Sequence, residues 1–223
     1  MIASALERLP AAGLMLDVGG WAKPLSRADW VLDLEPYETR GLYGRDGEAG
    51  DERFTAETWV QRDLCAREPW PFEDGRFDFA VCSHTLEDLR DPIWVCAELQ
   101  RVARAGYVEV PAVVEELTWG VQGPWVGWTH HRWIVEREDG GLTFFHKPHL
   151  LVEDGRHLPA GTCDPLSPEE RVTQLWWEGT LPAREHVFVG AEDFNAWLES
   201  LLSARRPARA ARRWWGGTAR ARS

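Results

Sequence analysis

Four short apolar runs constrain this chain more than any other feature. Leu14-Met15-Leu16-Asp17-Val18 runs into Gly19-Gly20, and Trp30-Val31-Leu32-Asp33-Leu34 is closed by Glu35-Pro36. Phe77-Asp78-Phe79-Ala80-Val81-Cys82 is the third, and Gly106-Tyr107-Val108-Glu109-Val110 is stopped by Pro111. Continuous apolar character is what strands show when a parallel sheet is covered on both faces. Between the third and fourth runs, Asp91 and Pro92 read as a cap and first turn. Ile93, Val95, Cys96, Leu99, Val102 and Ala103 follow as the apolar stripe of a helix. Strands alternating with helical pattern imply βαβ units.

The second half changes character. Residues 133–146 read as two strands around Asp139-Gly140-Gly141, a hairpin signal. Residues 149–168 read as loop with short strands. Phe194, Trp197, Leu198, Leu201 and Leu202 predict a helix over 191–203. Residues 41–53, rich in glycine and charge, read as a mobile surface loop. The expected architecture is one α/β domain over residues 1–203, followed by an arginine-rich tail at 204–223. Its core is a doubly wound, mostly parallel sheet with a terminal antiparallel hairpin. Only ten residues, 20–29, separate Gly19 from Trp30, with Pro24 among them. A parallel crossover usually takes a dozen or more with a helix, so the first crossover is expected to be shortened.

Charge narrows the partners. The net charge is −11, yet residues 204–223 carry seven arginines and no acid. The rest of the chain is therefore strongly acidic and repels polyanions, which speaks against nucleic acid. No apolar run approaches the ~20 residues of a membrane helix, so no membrane partner is expected. Glu7 and Arg8 interrupt the start where a signal peptide needs an apolar stretch. Four cysteines without a C-x-x-C spacing suit reduced thiols packed in a cytoplasmic protein. Homo-oligomer formation is left open.

The chemistry-bearing pattern is ordered: Asp17-Val18-Gly19-Gly20, then Asp33-Leu34-Glu35, then Asp63-Leu64. Glycines admit a ligand close to the backbone. An acid at the next strand's end can hold ribose hydroxyls. A later carboxylate can accept from an adenine amino group. G-x-G-x-x-G is absent, which disfavours a dinucleotide reading.

LDVGG, VLDLEP, QRDL, PWPFEDGRFDFAVCSHTLEDLRDP and GYVEVP together resemble class I S-adenosylmethionine-dependent methyltransferases. PYETR, CSHTLEDLRDPIWVC and HHRW resemble a bacterial group of methyltransferase-domain proteins. The likeness runs over about residues 14–146. It implies a Rossmann-like fold, S-adenosylmethionine as cofactor and a transferase of methyl groups. It implies Asp17, Gly19 and Gly20 under the methionine part, and Asp33 and Leu34 at the ribose. Asp63 and Leu64 would meet the adenine, and Ser83 and His84 would face the sulfonium. A cyclase or lyase on the same fold, or a non-catalytic nucleotide-fold binder, is the alternative.

For the acceptor side, His84 is a candidate general base with a pKa near neutrality. Glu115, Glu116, His130 and His131 gather acid and imidazole near the substrate mouth. Adjacent histidines on an extended segment point to opposite faces, so one is expected in the cleft and the other behind it. Glu87, Trp128, Arg132 and Trp133 are candidate substrate contacts, on a small molecule. A metal site is not expected, because His-His with a distant Glu lacks an H-x-x-x-H spacing. Fourteen tryptophans exceed ordinary usage, and aromatic walls suit a flat or sugar-like substrate.

Overall fold

The structure is a computed structural model, and it describes residue 1, residues 3–44 and residues 51–205. The expected detachment of the arginine-rich tail falls almost wholly outside the described residues, as does part of the 41–53 loop.

Helix α1 (Ala3–Arg8) precedes β1 (Met15–Val18), β2 (Trp30–Asp33), β3 (Trp59–Gln61) and β4 (Phe77–Ser83). Then come α2 (Pro92–Val102), β5 (Ala103–Pro111), α3 (Val113–Leu117), β6 (Trp133–Glu138) and β7 (Gly141–His146). The chain continues through β8 (Val172–Glu178), β9 (Ala183–His186) and α4 (Gly190–Arg205). The main sheet has the order β3-β2-β1-β4-β5-β8, parallel throughout except for β8. The continuous apolar runs have the expected cause: Leu16, Val18, Val31, Leu32 and Val81 are fully buried, because both faces are covered. α2 and the small sheet cover one face, and α1 with Leu25, Ala28 and Phe54 covers the other. α2 starts where the sequence places it. The Asp91 carboxylate accepts from Trp94 N at 3.1 Å, and Pro92 occupies the first turn.

The first crossover, residues 19–29, contains no helix, as its length suggests. Aspartates stitch it instead. Asp17 accepts from Leu25 N at 2.9 Å, Asp33 from Trp21 N at 2.9 Å, and Asp29 from Met15 N at 2.8 Å.

The α/β class and the mostly parallel sheet are borne out, with one correction. The hairpin does not return to the main sheet. β6, β7 and β9 form a separate three-stranded sheet in that order, and β8 supplies the antiparallel edge of the main sheet. The reason is two-sided burial. Trp133, Val135, Leu142 and Phe144 face the main core, while Ile134 and Phe145 face Phe194, Leu198 and Leu201 of α4. A strand pair apolar on both sides forms a middle layer, not an edge. The turn itself is as read, with positive φ at Asp139 and Gly140. Residues 149–168 hold a 3-10 turn at His149–Val152 and one isolated bridge, Thr118 with Leu158, in place of short strands. The four cysteines are buried and free. No described helix is long and apolar enough to cross a membrane.

Candidate functional site

Strand order reverses between β1 and β4, which makes their carboxyl ends the crevice of a doubly wound sheet. Gly19 leaves β1 with a φ of +77°, and a Cβ there would lie 2.1 Å from Thr85 Oγ1. A Cβ on Gly20 would lie 2.2 Å from Asp17 Oδ2. Both glycines are thus demanded by the protein's own side chains. Asp33 ends β2 nearly buried, with Oδ2 accepting from Trp21 N and Oδ1 from Glu35 N, each at 2.9 Å. Burial raises its pKa, and the backbone N–H groups pull against that. Leu34 beside it is 58% exposed and offers an apolar face to a flat ring.

The residues expected at the adenine have partners within the protein. Asp63 accepts from Cys65 N at 2.8 Å and pairs with Arg90 at 2.7 Å, and these partners hold it below the usual carboxylate range. Leu64 is buried in the core, because its neighbours Trp70 and Cys65 fold the loop inward. Tested against an adenosyl cofactor, the edge fits the nucleoside half through Asp33 and Leu34. The Gly19–Gly20 end is closed by Thr85 and Asp17.

β4 ends in Ser83 and His84, the latter at a φ of +52°. His84 Nε2 lies 3.1 Å from Glu109 Oε1, and Nδ1 lies 3.5 Å from Glu87 Oε1. Both carboxylates are buried. Glu109 also accepts from Tyr107 at 2.5 Å and Ser83 at 3.2 Å, and the amino group of Met1 lies 3.3 Å away. Burial opposes a charge on His84, but the two carboxylates more than offset it and raise its pKa to about 9. A neutral-pH general base is therefore the wrong role for His84. It is an imidazolium at pH 7, with one ring nitrogen facing Glu109 and the other facing Glu87.

The second cluster joins four segments. Glu116 on α3 is buried, and its Oε1 lies 2.5 Å from His131 Nδ1 while its Oε2 accepts from Lys147 Nζ at 2.5 Å. Lys147 also donates to Trp128 O at 2.8 Å. His131 turns Nε2 towards Asp88 Oδ1 at 3.8 Å, and His130 Nε2 approaches the same oxygen at 4.0 Å. Burial pushes the Asp88 pKa up, against the pull of His131. Gly127, at a φ of +58°, lets this loop touch α3, since a Cβ there would meet Glu116 O at 2.6 Å.

The two histidines do not point to opposite faces. Thr129 and His130 lie in a turn, so strand alternation does not apply, and their rings meet edge to face at 4.5 Å. Glu115 is spent elsewhere, on Arg171 and on Trp128 Nε1. Trp133 packs in the core and donates to Leu89 O at 2.7 Å, which removes it from the substrate mouth. Arg132 is exposed, and its main-chain N–H donates to Glu87 O at 2.8 Å. Trp128 stacks on His131 with ring centroids 5.8 Å apart. Trp125, Trp128, His131, Lys147 and Leu151 line a cavity of about 520 Å³. Asp88, Glu109 and Lys147 were not singled out in the sequence. Glu109 sat inside an apolar run, where an acid is itself a signal.

Residues 43–108 match the family model of a methyltransferase domain. This bears out the resemblance read from the motifs, and S-adenosylmethionine is the cofactor that goes with the class. No curated protein matches. Solved structures similar to the chain include a methyltransferase of Haloferax volcanii complexed with a methyltransferase activator. It shows 19% identity over 49% of this chain and 50% of that one, with a TM-score of 0.37. A Thermotoga maritima S-adenosylmethionine-dependent methyltransferase matches at 22% identity over 53% of each chain, TM-score 0.36. One from Mesorhizobium loti matches at 17% over 66% of this chain and 64% of that one, TM-score 0.36. The chain spans about half the length of the first two.

Proposed function

We propose that this protein transfers a methyl group from S-adenosylmethionine to an oxygen or nitrogen of a small molecule. One observation carries the reading. The methyltransferase-domain match covers residues 43–108, and that segment includes the carboxyl end of β4 and the His84–Asp88 loop where the site groups converge. The bound cofactor supplies an electrophilic methyl group. Asp33 and Leu34 would hold its nucleoside half.

The acceptor's seat is the tryptophan-lined cavity. Its walls exclude water and orient a flat ring, while His131 and Lys147 supply polar contacts. Glu116 fixes the Nδ1–H of His131 and leaves the Nε2 lone pair to take the proton released by the acceptor. Holding nucleophile and methyl in line supplies most of the rate.

The test is calorimetry with S-adenosylmethionine and S-adenosylhomocysteine, followed by assay of S-adenosylhomocysteine release against a panel of phenols, sugars and amines. No heat at millimolar ligand would refute the cofactor. His131→Ala is expected to lower turnover about 10²–10⁴-fold with cofactor affinity intact.

A further inference from the structure

We infer that Asp88, His130 and His131 form a binding site for one divalent transition-metal ion. One ligand atom from each of the three residues lies within 4.8 Å of the other two, and Asp88 Oδ1 stands 3.8 Å from His131 Nε2 and 4.0 Å from His130 Nε2. Each is an acceptor when the imidazoles are neutral and carry their proton on Nδ1, and no hydrogen bond joins them. Asp88 Oδ1 is buried and has no hydrogen-bond partner. Lone pairs converging without a donor repel unless a cation stands between them.

The spacing suits a small ion. Ligand atoms held 2.0–2.1 Å from one tetrahedral centre stand about 3.3–3.4 Å apart. The distances of 3.8 and 4.0 Å exceed that by less than a side-chain rotation supplies. Two imidazoles and one carboxylate are a common set for zinc and its neighbours.

The second observation is the support behind His131. Metal-ligating histidines give their other ring N–H to a carboxylate, which fixes the tautomer and raises basicity. Buried Glu116 does this at 2.5 Å, and Lys147 holds Glu116 in turn. A solvated surface histidine needs no such arrangement. His131 also lines the tryptophan cavity, so an ion on its Nε2 borders the space proposed for the acceptor. Three protein ligands leave a fourth position for an oxygen of that molecule, whose proton the ion would acidify. With the ion bound, His131 serves as a ligand, and the acidified proton of the coordinated oxygen passes to solvent instead of to His131.

The metal claim stands apart from methyl transfer, because its test reads binding alone. Chelator-stripped protein is titrated with Co²⁺, following d–d absorption, and with Zn²⁺ by calorimetry. One equivalent with four- or five-coordinate bands is expected. His130→Ala, at a side chain 53% exposed, keeps the fold and should weaken binding at least tenfold, as should Asp88→Asn. Glu116→Gln should weaken it about 10–100-fold. His149→Ala, outside the cluster, should change nothing. Circular dichroism checks each variant's fold. Absence of binding below 100-fold excess of protein over micromolar metal, or equal affinity in wild type, His130→Ala and Asp88→Asn, overturns the site.

Discussion

The edge at Gly19, Asp33 and Asp63 and the cluster at Asp88, Glu116 and His131 are built from the same residue types, yet they differ in one respect. At the first, acids are satisfied from within: Asp17 by Leu25, Asp33 by Trp21 and Glu35, Asp63 by Cys65 and Arg90. At the second, Asp88 Oδ1 is buried without a hydrogen bond. A satisfied carboxylate holds the chain's shape. An unsatisfied one is held by the chain in a place where only a ligand or a proton completes it. The sequence pattern drew attention to both regions, and the geometry adds Asp88 and Lys147 to the second.

The largest expected effect sharpens that contrast. Glu116→Ala leaves Lys147 buried without its partner and frees the His131 ring. Breaking a buried pair in this way costs about 3–5 kcal/mol, read by urea unfolding. A loss under about 1 kcal/mol would mean that the cluster is no more built than the surface.

Next comes Asp33→Ala, which removes the acceptor of two backbone N–H groups in a helix-free crossover. It should cost about 1–3 kcal/mol in stability as well as weaken cofactor binding. Full stability with reduced affinity would reverse the contrast and return Asp33 to a purely ligand-holding role.

The smallest effect is a pH slope. His84 is raised from its ordinary value of 6.5 to about 9 by Glu109 and Glu87 against the cost of burial. A raised histidine stabilises fully below about pH 6.5, and that stability is lost as pH rises through 9. The side chain is 45% exposed, so screening reduces the effect to about 1 kcal/mol. His84→Gln should flatten the wild-type decline between pH 6.5 and 9. An identical decline in the variant would assign it to another group.

Much of the main sheet was legible because continuous apolar runs have one common cause, burial on both faces. α2 was legible from Asp91 and Pro92, and the hairpin turn from Asp139-Gly140. β3 is three residues long, too short to show a period. β8, Val172–Glu178, mixes polar and tryptophan positions because only part of it is covered, and so it passed unread. The cluster was harder. Glu115 and Glu116 are neighbours on one helical turn, about 100° apart, so sequence alone did not say which faces the histidine. Asp88 reaches His130 and His131 only because the hairpin docks on the loop after β4.

That docking is made by main chain. Arg132 N and Trp133 N both donate to the carbonyl of Glu87, and Lys147 N donates to Arg132 O. Bonds of this kind are indifferent to side-chain identity. The layer carrying the tryptophan cavity, β6, β7 and α4 lies beyond residue 108, where the family match ends. Side chains that face the cavity can therefore change without removing these bonds, whereas Trp133, Val135, Leu142 and Phe144, packed in the main core, hold the joint as well. On the proposed reading, the segment that seats the acceptor is clipped onto the sheet as a unit, and grafting residues 112–152 between relatives is expected to carry the acceptor preference with it.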